Sequence, residues 1–390
     1  MAQRVRSYPH VRLSTFYLFY FAILGILLPF WPLYLQSIGM TAGDIGVLMA
    51  VLMTTRIVSP IIWGKLGDSV PRRMLVVQWG SFAAALIFVG VFFTEQMRFL
   101  VWVVAGYSFF WNAVLPQFEV ITLNHLDDHH HRYSQVRVWG SAGFIGAAVG
   151  LGWYFNAAPI SHVPALLLGC FVALWLLSLS IASPKQKLGE QHSNAPLSVL
   201  LNRPFIGFML ACLLLQLAHG PYYTYFSLYV ESAGYNKTQT GVFWALGAVS
   251  EMFVFMLMHR ILPRFGAVVL FQWALALSVI RWILLDQFVG NLAMLLIVQL
   301  LHAGTFGLFH ASSIELLRQH VPGNLSGQGQ ALYSMISYGV GGALGALLSA
   351  VLWPLNPSYA FWMASIASII ALLISRRLMV NQLWHHASGS

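Results

Sequence analysis

The ten residues GKLGDSVPRR, at positions 64–73, begin at the end of one long apolar run, 44–66, and lead into a second, 74–94. Each run is long enough to cross the hydrocarbon core of a bilayer, which is about 30 Å thick. A short polar turn between two such runs indicates an antiparallel pair of membrane-spanning helices. The same pattern of long apolar runs and short polar turns continues along the chain, and it decides the fold class.

The composition excludes several classes of protein. Of the 390 residues, 58% are apolar and only 8% are charged, whereas an ordinary soluble domain carries about 25% charged residues. Such a chain could not cover its own core with polar surface, which excludes a soluble enzyme, a disordered protein and a fibrous repeat. A transmembrane β-barrel is also excluded, because the apolar runs are continuous rather than alternating. The two cysteines, Cys170 and Cys212, lie inside apolar runs and imply no disulfide framework.

The sequence therefore predicts an all-α membrane protein with twelve transmembrane helices. The first is not a cleavable signal, because it exceeds a typical signal h-region and no small-residue cleavage site follows. The predicted spans are 13–36, 44–66, 74–94, 98–123, 136–156, 163–182, 205–230, 239–259, 267–286, 291–314, 327–353 and 358–376.

Lysine and arginine predict the orientation of these helices. Fifteen of the twenty basic residues fall in the termini and in the loops on one side, two fall in the opposite loops, and three lie within spans. We expect both termini to be cytoplasmic and the protein to be a multi-pass protein of a bacterial inner membrane. The formal charge of +9 then reflects basic cytoplasmic loops rather than nucleic-acid binding.

The longest polar stretch, 183–204, divides the chain into an N-terminal bundle, 1–182, and a C-terminal bundle, 205–380, each of six helices. Residues 381–390 are expected to be a disordered tail. A shift of 195 residues aligns the two bundles around their first helices, with eight identities in 26 columns. The matched pairs include Gly25 with Gly220, Gly39 with Gly234 and Gly46 with Gly241. This internal repeat predicts two pseudo-symmetric halves, an architecture in which substrate binds near the bilayer midplane.

Five formal charges within predicted spans are candidates for function, namely Arg56, Glu119, Arg137, Glu251 and Arg281. A charged side chain at the centre of a membrane helix costs about 2.5–3.5 kcal/mol on insertion scales, so a functional role is the default interpretation. The alternative for each is a buried structural ion pair.

Spacing suggests two groupings of these charges. Glu119 lies nine residues before Asp128 and Arg137 nine after it, so in antiparallel helices the two are expected to pair at similar depth. Glu251, Arg281 and His302 lie on spans eight, nine and ten and are expected to converge. Burial favours the neutral form of a carboxyl group and a nearby arginine favours the carboxylate. A site that gains or loses its cationic partner can therefore bind and release a proton.

Three internal arginines against two glutamates favour an anionic substrate, since the planar guanidinium binds a carboxylate through two parallel hydrogen bonds. We expect Arg56 and Arg137 to bind the substrate carboxylate or polar head, with Glu119 orienting Arg137. His219, beside a predicted helix break at Gly220-Pro221, is a further substrate-binding candidate, and a packing histidine is the alternative. The remaining candidates are aromatic residues that could stack on a substrate ring, Trp31 and Tyr34.

The stretch at 64–73 resembles the loop signature of the major facilitator superfamily: glycine, a small residue, aspartate and a basic pair. Small residues let the turn pack under neighbouring helices, and the Asp68 carboxylate can cap a helix or pair with a cation. An ordinary basic loop is the alternative interpretation. The resemblance implies a cytoplasmic gate built from Gly64, Gly67, Asp68, Arg72 and Arg73.

The chain also resembles the lactose permease branch of that superfamily and, more closely, the 3-phenylpropionate permease family within it. The resemblance covers nearly the whole chain. The stretches that carry it are Leu28-Pro29-Phe30-Trp31, Arg56, Val136-Arg137-Val138-Trp139-Gly140-Ser141, Ala218-His219, Ser250-Glu251, Ile280-Arg281-Trp282 and Leu301-His302-Ala303-Gly304-Thr305-Phe306.

This resemblance implies a proton-driven importer of a small organic acid, such as 3-phenylpropionate. Lactose permease binds sugar with a Glu and an Arg spaced as Glu119 and Arg137 are, and handles protons at positions matching Glu251, Arg281 and His302. It carries an acidic residue where this chain has Thr305, a departure that argues against sugar transport. The phenylpropionate permeases are similar at Thr305 and at Arg56.

Other functions stay open at this stage. A proton-coupled sugar or nucleoside symporter, a drug-type exporter and a non-transporting sensor all fit the same architecture. His129-His130-His131 could bind a metal, but a solvated loop is favoured. The sequence holds no P-loop, dinucleotide fingerprint or nucleophile elbow, so we expect neither ATP-driven transport nor an enzyme. The expected partners are a small molecule, protons and lipid, for a monomer without a cofactor.

Overall fold

The computed structural model describes residues 9–70, 72–126, 132–183, 202–322 and 325–379, apart from the side chain of Asp68. Three predicted segments lie wholly or mostly outside these described residues. They are the His129-His130-His131 run, the polar stretch 183–204, which we expect to be a cytoplasmic linker, and the tail 381–390.

Within the described chain, twelve helices are long and apolar enough to cross a membrane, as the sequence predicted. We number these spans one to twelve in chain order. Spans eight and ten extend about six residues beyond their predicted ends. The spans are His10–Ser37, Ala42–Gly67, Met74–Phe93, Met97–Leu126, Tyr133–Ala157, Ile160–Leu179, Arg203–Ser232, Lys237–Phe265, Ala267–Phe288, Leu292–His320, Ser326–Leu352 and Pro357–Met379.

The turns after spans one and seven show why the repeat preserves particular residues. Gly39 and Gly234, which the shift of 195 residues matches, both adopt a positive φ, at 85° and 92°, a conformation that other residues rarely tolerate. Directly after each turn, a reciprocal pair of hydrogen bonds starts the next helix, an arrangement known as a capping box. Thr41 pairs with Asp44 in this way.

The second capping box joins Asn236 to Gln239, at distances of 2.9 Å in both directions. These positions are those of Thr41 and Asp44 shifted by 195 residues, although neither residue is identical. The repeat therefore preserves the capping box that starts the second helix of each half, as well as a set of glycines.

A second pair of matched glycines brings helices together. Span one packs along span five, and a Cβ at Gly25 would lie 2.5 Å from the carbonyl oxygen of Phe144. In the second half, span seven packs along span eleven, and a Cβ at Gly220 would overlap the backbone of Gly345. Close approach of the first helix to the fifth helix of each half explains why both positions are glycine.

The described residues cluster into two compact units. One comprises those within Met1–Gly39 and Val58–Gly189, and the other those within Met40–Ile57 and Glu190–Ser390. The first part of span two therefore belongs to the second unit. There Ile57 lies against Gly339, and Met53 lies 3.5 Å from the position of a Cβ on Gly342.

Three spans of the second unit depart from regular α-helix, and the sequence predicted one of these departures, the break at Gly220-Pro221. Span seven is interrupted at His219, where Pro221 has no backbone N–H to donate to the preceding turn. Spans ten and eleven each contain a π-helical segment, Ala303–Leu308 and Met335–Gly341. Such wider turns are frequent at functional sites.

The predicted gate loop is described in part. Gly67 packs against the side-chain amide of Gln117, where a Cβ would not fit, and Gln117 donates to the carbonyl oxygen of Trp63 at 3.2 Å. Gly64 has open space around it. Arg72 is exposed and Arg73 is half-buried, while the side chain of Asp68 lies outside the described residues. The gating role of these residues remains a prediction.

Glycine packing within the first unit yields a matched test on span five. A Cβ at Gly143 would fall on the backbone carbonyl of Leu18, whereas Gly146 on the same helix has nothing within 4 Å. We expect Gly143→Ala to lower the free energy of unfolding by about 1–3 kcal/mol, the usual range for overpacking. Thermal unfolding of the purified protein in detergent measures this. Gly146→Ala serves as the control, and equal stability of the two variants would contradict the packing interpretation.

Candidate functional site

The second unit brings Glu251 and His302 into direct contact. Nε2 of His302 lies 2.7 Å from Oε1 of Glu251, and the two side chains are 7% and 18% exposed respectively. The facing residue on span ten is Gly307, where a Cβ would lie 3.5 Å from Cγ of Glu251, an ordinary packing distance. Either the imidazole donates to a carboxylate, or a neutral carboxyl group donates to the imidazole. The pair therefore holds at least one shared proton.

Arg281 lies in the same cluster and is fully buried. Its Nε donates to the carbonyl oxygen of Val298 and its Nη1 to Oγ1 of Thr305, both at 3.1 Å. The guanidinium carbon stands 4.4 Å from the ring centre of Tyr222 and 4.5 Å from that of Trp282. Aromatic faces stabilise a desolvated cation in this arrangement.

Arg281 does not pair directly with Glu251. In the described chain, no carboxylate oxygen lies within 4.0 Å of the Arg281 guanidinium. Glu251 contacts His302 instead, and Thr305, at the position that departs from the lactose permeases, accepts a hydrogen bond from the arginine. The three predicted residues thus converge, but as an acid–base pair beside a cation rather than as an ion pair.

His219 joins this cluster from the interruption in span seven. Its Nδ1 lies 2.8 Å from the carbonyl oxygen of Leu215, and since a carbonyl oxygen only accepts, Nδ1 carries the proton. The His219 ring centre is 5.0 Å from that of Trp282 and 6.0 Å from that of His302. The sequence placed His219 among the substrate-binding candidates, whereas the structure groups it with the proton candidates.

Five buried nitrogen atoms of the cluster have no hydrogen-bond partner among the described residues. Oε1 of Gln299 already accepts a hydrogen bond from the Tyr222 hydroxyl at 2.9 Å. Buried polar groups are normally paired, so these atoms can take a partner from a bound molecule or from a side chain that moves. The five are Nη2 of Arg281, Nε2 of His219, Nδ1 of His302, Nε1 of Trp282 and Nε2 of Gln299.

The first unit holds the other predicted pair. Nε of Arg137 lies 3.9 Å from Oε1 of Glu119, and their side chains are 31% and 38% exposed. This distance is too long for a hydrogen bond. The guanidinium instead lies over the ring of Phe21, at 4.1 Å from its centre. Glu119 also accepts a long hydrogen bond of 3.4 Å from the Tyr133 hydroxyl.

Arg137 therefore keeps its donors available. Among the described residues, no acceptor lies within hydrogen-bond distance of its guanidinium, and part of the side chain is accessible. Gly140 leaves room for it, because a Cβ there would lie 2.8 Å from Nη1 of Arg137. An arginine held by an aromatic ring and a distant carboxylate can accept a new bidentate partner.

Arg56 lies in the part of span two that belongs to the second unit. Its side chain is half-buried, and its charge acts on the hydroxyl group of Tyr338 on span eleven. Arg56 and Arg137 thus lie in different units.

The two aromatic candidates on span one are not brought to Arg137. Trp31 is 1% exposed and packs against Tyr34 and Phe88, with ring centres 5.2 and 6.0 Å apart. Trp31 is ten residues from Phe21, or about 15 Å along the helix at ~1.5 Å per residue. Their role in substrate binding remains a prediction without support from this packing.

Asp286, which the sequence did not single out, lies near the end of span nine and is 8% exposed. Its Oδ2 accepts hydrogen bonds from Nε1 of Trp362 and Nε2 of Gln287 at 2.9 and 2.7 Å. Its carbonyl oxygen accepts from the Tyr229 hydroxyl at 3.2 Å. The available signal was a carboxylate at the last residue of the predicted span 267–286.

Comparison with known proteins places this arrangement in a family. The model of the MFS_1-like family matches residues 10–364. The chain belongs to this family. The twelve helices, the repeat and the loop signature accordingly form a major facilitator fold, as the sequence predicted, and the protein is a multi-pass membrane transporter rather than an enzyme.

The relatives of this transporter carry different names. A protein named "Probable 3-phenylpropionic acid transporter", from Escherichia coli (strain K12), is 27% identical over 374 residues, covering 94% of this chain and 97% of that protein. The maltose permease of Geobacillus stearothermophilus is 26% identical and covers 93% of each chain. Among solved structures, a variant of the nucleoside transporter NupG superposes with a TM-score of 0.84 at 16% identity, covering 95% of this chain and 99% of that one.

The hydrogen bond from Arg281 to Thr305 yields a prediction about stability. Thr305→Val keeps the shape of the side chain but removes the acceptor for a fully buried cation. We expect the free energy of unfolding to fall by about 1.5–3 kcal/mol, the range for hydrogen bonds to charged groups. Thermal unfolding measures the loss. Thr305→Ser, which retains the hydroxyl group, is the matched control, and a Val variant as stable as the Ser variant would contradict this role.

Proposed function

We propose that this transporter is a proton-coupled symporter that imports a small organic acid, with an aromatic carboxylate such as 3-phenylpropionate as the foremost candidate. The observation that carries the proposal is the 2.7 Å contact between Glu251 and His302 beside the fully buried Arg281. Proton relays in transporters are built from such acidic and histidine side chains within membrane spans.

The chemistry of this cluster suits coupling. With Glu251 ionised and His302 neutral, the carboxylate balances the charge of Arg281. A bound proton leaves the cluster with one uncompensated positive charge, which is costly in a low-dielectric site. Substrate binding that shifts this balance therefore changes the affinity for the proton, and coupling of this kind is reciprocal.

An organic acid fits the first unit as well. Arg137 offers a guanidinium whose donors are not used within the described chain, held over the ring of Phe21. A carboxylate would receive two parallel hydrogen bonds there, and an aromatic substrate could pack beside the ring. We assign the role of orienting Arg137 to Glu119 and assign a second anchoring role to Arg56. The relative named as a 3-phenylpropionic acid transporter supports this class of substrate.

A sugar is the second candidate substrate, because the maltose permease covers nearly the whole chain at comparable identity. Glu119 and Arg137 could both bind sugar hydroxyl groups. A ligand-induced thermal shift across sugars, nucleosides and aromatic acids separates the candidates. The acid proposal predicts stabilisation by 3-phenylpropionate and no shift with maltose.

The charge pattern supports an orientation for this importer in a bacterial inner membrane. Basic residues cluster at the ends of spans that we assign to the cytoplasm, among them Arg203, Arg264 and Arg318. Both termini are then cytoplasmic, and transport proceeds by alternating access.

Replacing the proton-binding carboxyl group tests the proposal. In proteoliposomes with an imposed pH gradient, we expect Glu251→Gln to abolish uphill accumulation of radiolabelled 3-phenylpropionate, because the amide cannot take up a proton. Exchange at equal pH should persist. Glu95→Gln, at an exposed position, is the control, and protein-free liposomes correct for diffusion of the free acid. Undiminished accumulation by Glu251→Gln would remove this residue from the mechanism.

The anchoring role of Arg56 yields a separate prediction about affinity. Arg56→Lys keeps the charge but loses the planar fork that binds a carboxylate through two hydrogen bonds. Loss of one charge-assisted hydrogen bond, about 1.5–3 kcal/mol, should raise the Kd for 3-phenylpropionate about tenfold or more. Isothermal titration on the purified protein measures this. Arg98→Lys, at an exposed position in the first turn of span four, is the control, and an unaltered Kd for Arg56→Lys would point to another anchor.

A further inference from the structure

A second polar pair lies two helical turns beyond Glu251 and His302. Nδ1 of His310 and the hydroxyl oxygen of Tyr338 are 2.9 Å apart, joining span ten to span eleven. The Tyr338 hydroxyl is also 3.3 Å from that of Tyr333. A histidine hydrogen-bonded to a phenol can accept and pass on a proton, since both groups donate and accept.

Three stacked rings along one face of span ten, referred to below as the ring ladder, lead from the Glu251–His302 pair to the His310–Tyr338 pair. His302, Phe306 and His310 are spaced four residues apart, with ring centres separated by 5.5 and 6.3 Å and planes tilted by only 16° and 9°. Tyr338 contacts the ring ladder, its ring centre lying 6.1 Å from that of Phe306. The His310–Tyr338 pair therefore faces the side of the helix on which His302 meets Glu251.

Charges of the transport site reach Tyr338. The charged and titratable groups that interact with its hydroxyl are Glu251, Arg56, Tyr333, Cys212, Tyr223 and the hydrogen-bonded His310. Glu251 is the proposed proton carrier, and Arg56 is a proposed substrate anchor. Tyr338 lies within the π-helical segment Met335–Gly341, and such wider turns are frequent at functional sites.

Exposure decreases from His310 to the core of the unit. His310 is half-buried, while Tyr333 is 1% exposed and His302 6%. His310 also lies eight residues from His302, or about 12 Å at ~1.5 Å per residue, in the direction of Arg318, which the charge rule assigns to the cytoplasm. A proton that leaves Glu251 for the cytoplasm would pass this pair on its way to water.

We propose that His310 and Tyr338 form a proton relay between Glu251 and the predicted cytoplasmic end of span ten. This inference rests on the proposed function, in which Glu251 carries the proton. The carboxyl group of Glu251 gives its proton to a water molecule, which protonates the Tyr338 oxygen as the hydroxyl proton moves to Nδ1 of His310. Glu251 becomes a carboxylate, Tyr338 is unchanged, and the His310 imidazolium releases a proton to solvent.

A pH jump on the purified full-length protein tests the relay without any substrate. Infrared spectroscopy follows the carboxyl band that Glu251→Gln abolishes, so the rate of proton exchange at Glu251 is observed directly. We expect Tyr338→Phe and His310→Gln each to slow this exchange by about tenfold or more, because positioned proton-transfer groups contribute roughly 10²–10⁴-fold. The final amplitude of the band should match the wild-type protein.

Tyr333→Phe is the matched control, since it removes a neighbouring hydroxyl group and leaves the His310–Tyr338 pair intact. Its rate should equal that of the wild type. An unchanged rate in either Tyr338→Phe or His310→Gln would overturn the relay. Equal slowing by Tyr333→Phe would also overturn it, because a general effect of packing would then explain the loss.

The same measurement separates failure of the relay from failure of the proposed function. If no carboxyl band of Glu251 responds to the pH jump, Glu251 is not a proton carrier, and the proposed function and the relay both fail. If the band responds and slows in the relay variants while proteoliposomes take up no 3-phenylpropionate, the substrate proposal fails and the relay stands.

Discussion

An ionised side chain inside a membrane helix must find a partner, and this constraint organises the second unit. Arg281 is fully buried and is stabilised by two hydrogen bonds and two aromatic faces. Glu251 is stabilised by His302. Several buried nitrogen atoms around these two charges keep no partner within the described residues. Charged side chains within membrane spans commonly mark substrate pathways and proton relays.

Backbone irregularities bring these side chains together. The interruption at His219 and the π-helical segments of spans ten and eleven lie where the polar groups converge. The first unit is more regular around Glu119 and Arg137, and its pair is looser. This difference agrees with the proposal that Arg137 binds substrate and Glu251 carries the proton.

Much of the fold could be predicted from the sequence, because apolar runs, basic loops and a repeat of 195 residues are patterns along the linear chain that need no knowledge of side-chain geometry. The convergence of Glu251, Arg281 and His302 was predictable from depth alone. The contact of Glu251 with His302 rather than with Arg281 was not, since it depends on side-chain geometry and on π-helical turns that leave no periodic signal. Asp286 was not predicted as a buried polar residue, because its position at the end of the predicted span 267–286 does not indicate that it packs against Trp362.

Proton movement during transport tests this interpretation most directly. Proteoliposomes without an imposed pH gradient receive external 3-phenylpropionate, and a pH electrode records the weakly buffered external medium. Proton symport predicts alkalinisation that accompanies uptake, exceeds that of protein-free liposomes and is absent with Glu251→Gln. Uptake by the wild-type protein with no alkalinisation beyond the protein-free control, or with alkalinisation that persists in Glu251→Gln, would contradict it.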